Sequence, residues 1–431
     1  MLDSNDPLIA LADTINWDFF NDSFEKHYSD KGRPAKPVRL MVGLLLLKQI
    51  ENLSDESVVL QWKRNPYYQY FCGMREYVPA LPCDSTELVK FRQRIGKEGA
   101  EKIFAMSVGL HGKAAQEEQV IIDTTVQEKN ITYPTDGKLA IKMIHHLHRI
   151  AREEKIQLRR TYVKEIKGHR IALRFFRHPK KIKKAKSAMK RLETIVGILI
   201  RDISRNLSEE KVAEYQETFA LFQKVVDQKQ KDKGKIYSLH EPHIYAIAKG
   251  KDHKKYEYGT KASIVTTKNS GIIIGAAAHR KNEHDSKTLE AALTSANQNR
   301  SKPIKEAICD RGYRGRKEVN GTMICIPGKP LKRDTKYQKE QKRKKFRRRA
   351  AIEPVIGHLK SDHRLSRNYL KGFIGDEINL LLAAAAFNLK KWMNHFLVLV
   401  IMVKTALMLY TMSRIRREDR QRYVDLYLMV C

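Results

Sequence analysis

Asp123, Asp310 and Glu353 are carboxylates of the kind that hold divalent cations, in a chain whose Lys and Arg number 83 against 49 Asp and Glu, for a net charge of +34. Asp123 follows the β-branched run Val120-Ile121-Ile122, and Asp310 follows Ala307-Ile308-Cys309. Glu353 follows the most basic stretch of the chain. The end of an apolar strand is a rigid platform for a metal ligand, and Mg²⁺ keeps several waters, so two or three carboxylates suffice to hold it. Two such ions about 3.5–4 Å apart can activate a water or hydroxyl and stabilise the leaving oxygen of a phosphate between them. Acids on a polycation therefore point to cutting and joining of nucleic acid.

Each acid has a plainer explanation when taken alone. Asp ends strands for turn reasons. Asp310 is strengthened by Arg311-Gly312-Tyr313-Arg314-Gly315, a loop whose glycine backbone could approach a phosphate closely. On a continuous helix Arg349, Glu353 and Lys360 share a face, at offsets of four and seven. Pro354 either opens that helix at its first position or kinks it. Arg349 would then belong to the preceding turn, while Glu353 and Lys360 stay aligned. The rival carboxylates are Asp136, Glu128 and Glu257, and Glu257 on a core strand suits a supporting part. His145, His146 and His148 point in different directions on a helix, which argues against a metal site. Trp17, Trp62 and Trp392 read as core anchors.

The positioning elements follow from the hydrophobic pattern. Residues 1–116 read as helical, with an apolar helix from 38 to 50 after the breaker Gly32-Arg33-Pro34, helix starts at Ser54 and Asp84, and a break at Asn65-Pro66. Residues 117–137 open a second unit with a strand at 120–126 and a possible second one at 131–133. Residues 138–232 form a basic helical insertion, with Ile141, Ile144, Leu147 and Ile150 on one face and seven Lys or Arg within residues 180–191. Residues 233–394 resume the second unit. Strands are expected at 244–248, 258–267 and 271–278, the last two joined through Asn269-Ser270-Gly271 as a hairpin. A helix at 286–297, short strands at 307–309 and 323–326 (before Pro327-Gly328) and helices at 352–359 and 378–393 complete it. This order predicts a mixed α/β layer fold interrupted by a helical insertion.

The charge excess is spread from Lys31 to Arg422, which favours a broad polyanion-binding surface, nucleic acid first. Five widely spaced cysteines without a C-x-x-C pair argue against a structural zinc site and fit reduced thiols in the cytosol. The acidic start MLDSNDPLIALAD has no signal-peptide pattern. Residues 395–431 form an atypical tail, apolar at 396–403 and 406–410, then basic at 414–422. With Lys404-Thr405 interrupting it, the apolar part falls short of the roughly 18–20 residues of a spanning helix. A buried or oligomer-facing helix is expected, rather than a membrane anchor.

The stretch Asp123-Thr-Thr-Val-Gln-Glu-Lys-Asn-Ile-Thr-Tyr-Pro-Thr-Asp136 resembles the first catalytic strand of bacterial insertion-sequence transposases of the DDE type, the insertion-sequence-five group most of all. Tyr256-Glu257-Tyr258-Gly259-Thr260-Lys261 resembles an internal strand motif of that group, and Cys309-Asp310-Arg311-Gly312-Tyr313 resembles its second catalytic strand. The family signature Tyr-x2-Arg-x3-Glu-x6-Lys reads here as Phe346, Arg349, Glu353 and Lys360, with Phe in place of Tyr. The helical residues 17–110 resemble the group's N-terminal domain, a DNA-binding and dimerising module.

The resemblance implies an RNase H-like mixed-sheet core in which Asp123, Asp310 and Glu353 are catalytic and hold two Mg²⁺ ions, with Mn²⁺ as a substitute. It implies cleavage at terminal inverted repeats and joining of the 3′ hydroxyl ends to target DNA. Arg349 and Lys360, with Arg348, Arg311 and His358, would contact the double-stranded DNA. A homodimer or larger assembly on DNA in the cytoplasm, at the nucleoid, is expected, with no membrane partner. The alternative is a catalytically inactive or repurposed DNA-binding protein descended from such an enzyme, for which the atypical tail is the main argument. A plain nuclease with the same metal chemistry but no joining step is a third reading.

Overall fold

The computed structural model describes residues 2–28, 35–229, 231–251, 254–326, 328 and 331–414. The Gly32-Arg33-Pro34 breaker, Pro327, the side chain of Phe346 and the basic run beyond Arg414 lie outside these residues.

Six helices open the chain: α1 (Pro7–Thr14), α2 (Asp18–Glu25), α3 (Val38–Ile50), α4 (Asp55–Arg64), α5 (Pro66–Phe71) and α6 (Ser85–Gly109). Asp6, Ser54, Asn65 and Asp84 each accept a backbone N–H of the turn that follows, which satisfies donors a helix start otherwise leaves open. Pro7 and Pro66 occupy first helical positions, where their missing N–H is not needed. From Leu40 to Ile50 every residue of α3 is buried, as its all-round apolar sequence requires.

The sheet begins with β1 (Gln119–Lys129). After the insertion come β2 (Tyr245–Lys251), β3 (Lys254–Thr267), β4 (Ile273–His279), α11 (Asp285–Gln298), β5 (Glu306–Ile308), β6 (Glu318–Val319) and β7 (Thr322–Cys325). They are followed by α12 (Lys336–Arg349), α13 (Ile352–Ser361), β8 (Arg367–Asn368) and α14 (Gly372–Arg414). Strand order is β2-β3-β1-β5-β7-β6, with β4 on β3 and β8 on β1. β1 runs antiparallel to β3, from Val120↔Thr267 to Glu128↔Gly259. Along its other edge it is parallel to β5, from Gln119↔Glu306 to Ile121↔Ile308. Val120, Ile121 and Ile122 are consecutively buried, the mark of a strand covered on both faces. Gly259 permits the β1–β3 approach, because a Cβ there would overlap the Gln127 carbonyl.

The insertion carries α7 (Asp136–Glu153), α8 (Val163–Ala172), α9 (Ile182–Asn206) and α10 (Glu209–Asp227). Leu139, Ile144, Leu147, Leu192, Ile195, Leu199 and Phe222 form a core of their own. The apolar side chains of α1–α6 instead join those of the sheet and α14 in one continuous cluster. A buried polar junction stitches the insertion's exit to this cluster. Lys129 at the end of β1 pairs with Asp376 of α14 at 2.5 Å and with Glu241 at 3.4 Å. Asp376 also accepts from Asn368 at 2.6 Å and faces His243 Nε2 at 3.0 Å.

Three expectations are corrected. Residues 131–133 form no strand: the Asn130 and Ile131 N–H groups turn to Asn368 O and Lys129 O, which ends the ladder. Pro354 is the third residue of α13, which starts at Ile352 after a break at Ala350-Ala351; the first-turn N–H groups have no intrahelical acceptor, so proline is tolerated there. The apolar tail is not buried. It prolongs α14, and Leu397, Val398, Leu399, Ile401, Met402, Val403, Leu407, Leu409 and Tyr410 are exposed. Lys404-Thr405 does not break this helix, since Lys is a good helix former and Thr405 Oγ1 donates to Ile401 O. By length and composition alone, α14 could cross a membrane.

Candidate active site

The parallel register of β1 and β5 brings two of the predicted acids together. Ile121 is aligned with Ile308, and Asp123 and Asp310 each lie two residues further along. Period-two alternation points both side chains the same way while the backbone remains extended. Asp310 is extended and caps the 3-10 turn Arg311–Tyr313, accepting the Gly312 N–H at 2.8 Å. Asp123 accepts the Thr124 N–H at 2.7 Å.

A third carboxylate approaches this pair from an element not singled out in the sequence. Asp285, the first residue of α11, accepts from Thr124 Oγ1 at 3.1 Å and from Lys261 Nζ at 2.9 Å through Oδ1. Its Oδ2 lies toward Asp310: a Cβ on Gly312 would sit 2.9 Å from Asp285 Oδ2 and 3.0 Å from Asp310 Oδ1. A side chain at position 312 would thus push against two converging carboxylates. An Asp at a helix start reads as an end-of-helix charge in sequence, which hides such a placement. Lys261 was visible only as part of the Tyr256–Lys261 motif; here its ammonium is anchored by Glu283 O at 2.6 Å as well as by Asp285.

Burial pushes the Asp123 carboxyl up to about 6, with Asp310 and Asp285 adding like-charge repulsion; the Thr124 N–H and the Arg349 guanidinium oppose the rise. A carboxyl raised from 3.8 to about 6 holds its proton more tightly in the folded chain. Its favourable contribution to the metal-free protein is complete below about pH 4 and is lost as pH rises through about 6. Asp123→Asn, neutral throughout, is expected to be about 2–3 kcal/mol more stable than the unsubstituted chain at pH 7.5 and to lose that advantage near pH 4. Urea unfolding in the presence of chelator at the two pH values measures it. Equal stabilities at pH 7.5 would refute the burial and crowding that raise this carboxyl.

Glu353 stands apart from this group. It lies in the first turn of α13, which packs on β1 and α14 through Ile352, Val355 and Leu359. Its side chain is 63% exposed and pairs with Arg349 at 3.5 Å. Among the described residues no three Asp, Glu, His or Cys side chains close into a ready-made metal cage. Arg349, the last residue of α12, nevertheless links the parts, since it reaches Asp123 electrostatically and Glu353 by the ion pair.

The other predicted contacts have definite places. Arg348 donates to Lys268 O and Asn269 O, pinning α12 to the β3–β4 turn. Lys345 pairs with Glu306 at 2.6 Å and ties the same helix to β5. Arg311 is exposed beside Asp310. His358 pairs with Asp362 at 2.7 Å, and Lys360 lies half-buried near the end of α13. Glu257 is buried on β3, and Asp136 faces Lys235 at 3.7 Å. His146 packs edge-on against Phe222, away from the acids. Burial raises the Cys309 thiol far above its usual range, helped by Asp310 and Asp123, so the cysteine beside the site is inert as a nucleophile.

Comparison with known proteins separates the parts of the chain. A family described as "Transposase domain (DUF772)" matches residues 1–94, and one described as "Transposase DDE domain" matches residues 227–389. The strand bearing Asp123 and most of the insertion lie outside both matches. A protein of Rhizobium meliloti, described as an uncharacterized protein ORF8 in the nfe locus, is 40% identical over 176 residues, which is 40% of this chain and 85% of that protein. No solved structure matches. With one transposase domain covering the leading helices and the other covering the sheet from β2 to α14, the chain belongs to the DDE-type transposases, a family that implies metal-dependent cleavage of DNA.

Proposed function

We propose that the chain cleaves the ends of its own insertion sequence and joins the freed 3′ hydroxyl ends to target DNA, with Asp123, Asp310 and Glu353 as the catalytic carboxylates. The observation that carries this reading is the parallel β1–β5 register, which sets Asp123 and Asp310 side by side. The strand sequence β4-β3-β1-β5-β7, three antiparallel strands followed by two parallel ones, favours an RNase H-like core. The motifs around Asp123, Gly259 and Asp310 favour the insertion-sequence-five group.

The donor set is all oxygen, and like charges crowd Asp123, so the residues fit a hard divalent cation such as Mg²⁺, with Mn²⁺ as a substitute. A bound pair of such ions supplies an activated nucleophile and stabilisation of the leaving oxygen. The chain's own residues hold and orient. Glu353 is only loosely kept by Arg349, because its carboxylate is exposed and a solvent-screened pair contributes little. A DNA phosphate that takes Arg349 releases Glu353 toward the two aspartates. The basic helix α12, held in place by Arg348 and Lys345, offers its remaining cations to the backbone, together with Lys360 and Arg311. The helices of residues 1–116 bind and pair the DNA ends in a dimer or larger assembly, and the insertion of residues 138–232 extends the basic surface.

The test is a cleavage assay with the purified full chain, Mg²⁺ and DNA carrying the inverted repeats that flank the reading frame. Nicks at the repeat ends, and joined products from pre-cleaved ends, are expected. Cleavage without joining would favour a nuclease, and DNA binding without cleavage would favour a repurposed binding protein.

A further inference from the structure

Helix α14 leaves the core at Met393, its last buried residue among those described. Beyond it, Leu397, Val398, Leu399, Val403 and Leu407 are each between 42% and 67% exposed. At about 100° per residue these five side chains point round the whole helix, with no gap wider than a single step. A helix that is apolar all round belongs in a core or in a membrane, and this one is outside the core. It is long and apolar enough to cross a bilayer. Lys404 is the only Lys, Arg, Asp or Glu from 392 to 413, and its long apolar stem lets the ammonium reach toward the headgroups. The residues that follow hold Arg414, Arg416, Arg417, Arg420 and Arg422 against two acids, a charge that anionic headgroups attract. The matched transposase domain ends at residue 389, so the family does not account for this end of the helix.

We infer that the end of α14 inserts into a lipid bilayer, with the arginines after it against anionic headgroups. A second copy of this chain is the competing occupant. One neighbouring helix covers a stripe a little over about 100° wide and leaves the opposite side in water. Hydrocarbon covers every side, and apolar side chains are exposed on every side. The inference does not depend on the reaction proposed above, since the acids lie on β1, at the end of β5 and on α13.

The experiment floats the purified full chain with phosphatidylcholine–phosphatidylglycerol vesicles on a density gradient, at about 0.1 M and about 1 M NaCl. The higher concentration screens headgroup attraction to within about 3 Å. Val398→Asp and Leu407→Asp, on opposite sides of the helix, are compared with the unsubstituted chain, and melting curves check that each variant is folded. The full chain is expected to float at both salt concentrations. Each substitution is expected to lower partitioning at high salt at least about tenfold, because Asp is costly in hydrocarbon at any point of the circumference. Failure to float at high salt overturns the inference, since charge alone then accounts for any binding. Flotation that neither substitution weakens overturns it as well. An effect of only one substitution also overturns it, and with a shift from dimer to monomer in sedimentation would assign the helix to a second copy.

Discussion

Asp310→Asn is expected to lower end cleavage by at least about a thousandfold while DNA binding at equal salt stays within a few-fold. The substitution is isosteric. An amide oxygen can still accept the Gly312 N–H that Asp310 accepts at 2.8 Å, so the turn and the approach of Asp285 are retained. What disappears is one negative charge of a carboxylate pair whose closeness is set by backbone register rather than by flexible side chains. Charge lost from a ligand position removes stabilisation that only the transition state uses, and groups acting as a unit fail together. The measurement is single-turnover cleavage of end-bearing DNA, with gel-shift binding and a melting curve as controls. Cleavage within tenfold of the original chain, with binding intact, would remove Asp310 from the chemistry.

Asp376→Ala is expected to destabilise the fold by about 2–3 kcal/mol, the effect of breaking one buried, hydrogen-bonded charge pair while a longer one remains. Asp376 and the Lys129 ammonium are both almost without solvent contact, and they pair at 2.5 Å. Asn368 and His243 complete the shell of Asp376, and Glu241 gives Lys129 a second, longer contact at 3.4 Å. Removing the carboxylate leaves Lys129 with Glu241 and the Gly372 carbonyl. The junction joins the end of β1, strand β8, the start of α14 and the segment that leaves the insertion, so its loss frees all four at once. Urea denaturation measures the effect, and limited proteolysis should show new cleavage in residues 231–243. A loss below about 1 kcal/mol would mean that the junction is solvated in solution.

The two sites differ in how far the sequence disclosed them. Asp123 and Asp310 stand at the ends of runs of buried aliphatic residues, and an apolar run that stops at an acid is visible in one dimension. Glu353 was marked by Arg349 and Lys360 at helical offsets, and its helix is present, though Pro354 falls at the third position. The Asp376 junction left no sequence signal, because its members, Lys129, Glu241, Asn368 and Asp376, come from four places and read singly as surface polar residues. The insertion was legible for the opposite reason. Ile141, Ile144, Leu147 and Ile150 recur at the helical period, and they meet α9 and α10 in a core built from neighbouring segments.

The apolar tail shows the limit of pattern alone. Composition fixed that residues 396–410 would be helical, but their exposure depends on whether another surface lies beside α14, which periodicity does not encode. Asp285 is the corresponding case at the site. It precedes Asp310 by a helix and a strand, and only the packing of α11 on the sheet turns its second oxygen toward Asp310.

By itself the sequence determined most of the element types, the interruption of the sheet by a basic helical insertion, the large excess of positive charge and the acids that follow apolar runs, because each is written in local periodicity, charge or chemical type. Only the tertiary structure decided that Asp123 and Asp310 are neighbours while Glu353 pairs with Arg349, and that Asp285 converges on the two aspartates. Those outcomes follow from strand register and helix docking, which are set by contacts between residues far apart in the chain and so have no local signature.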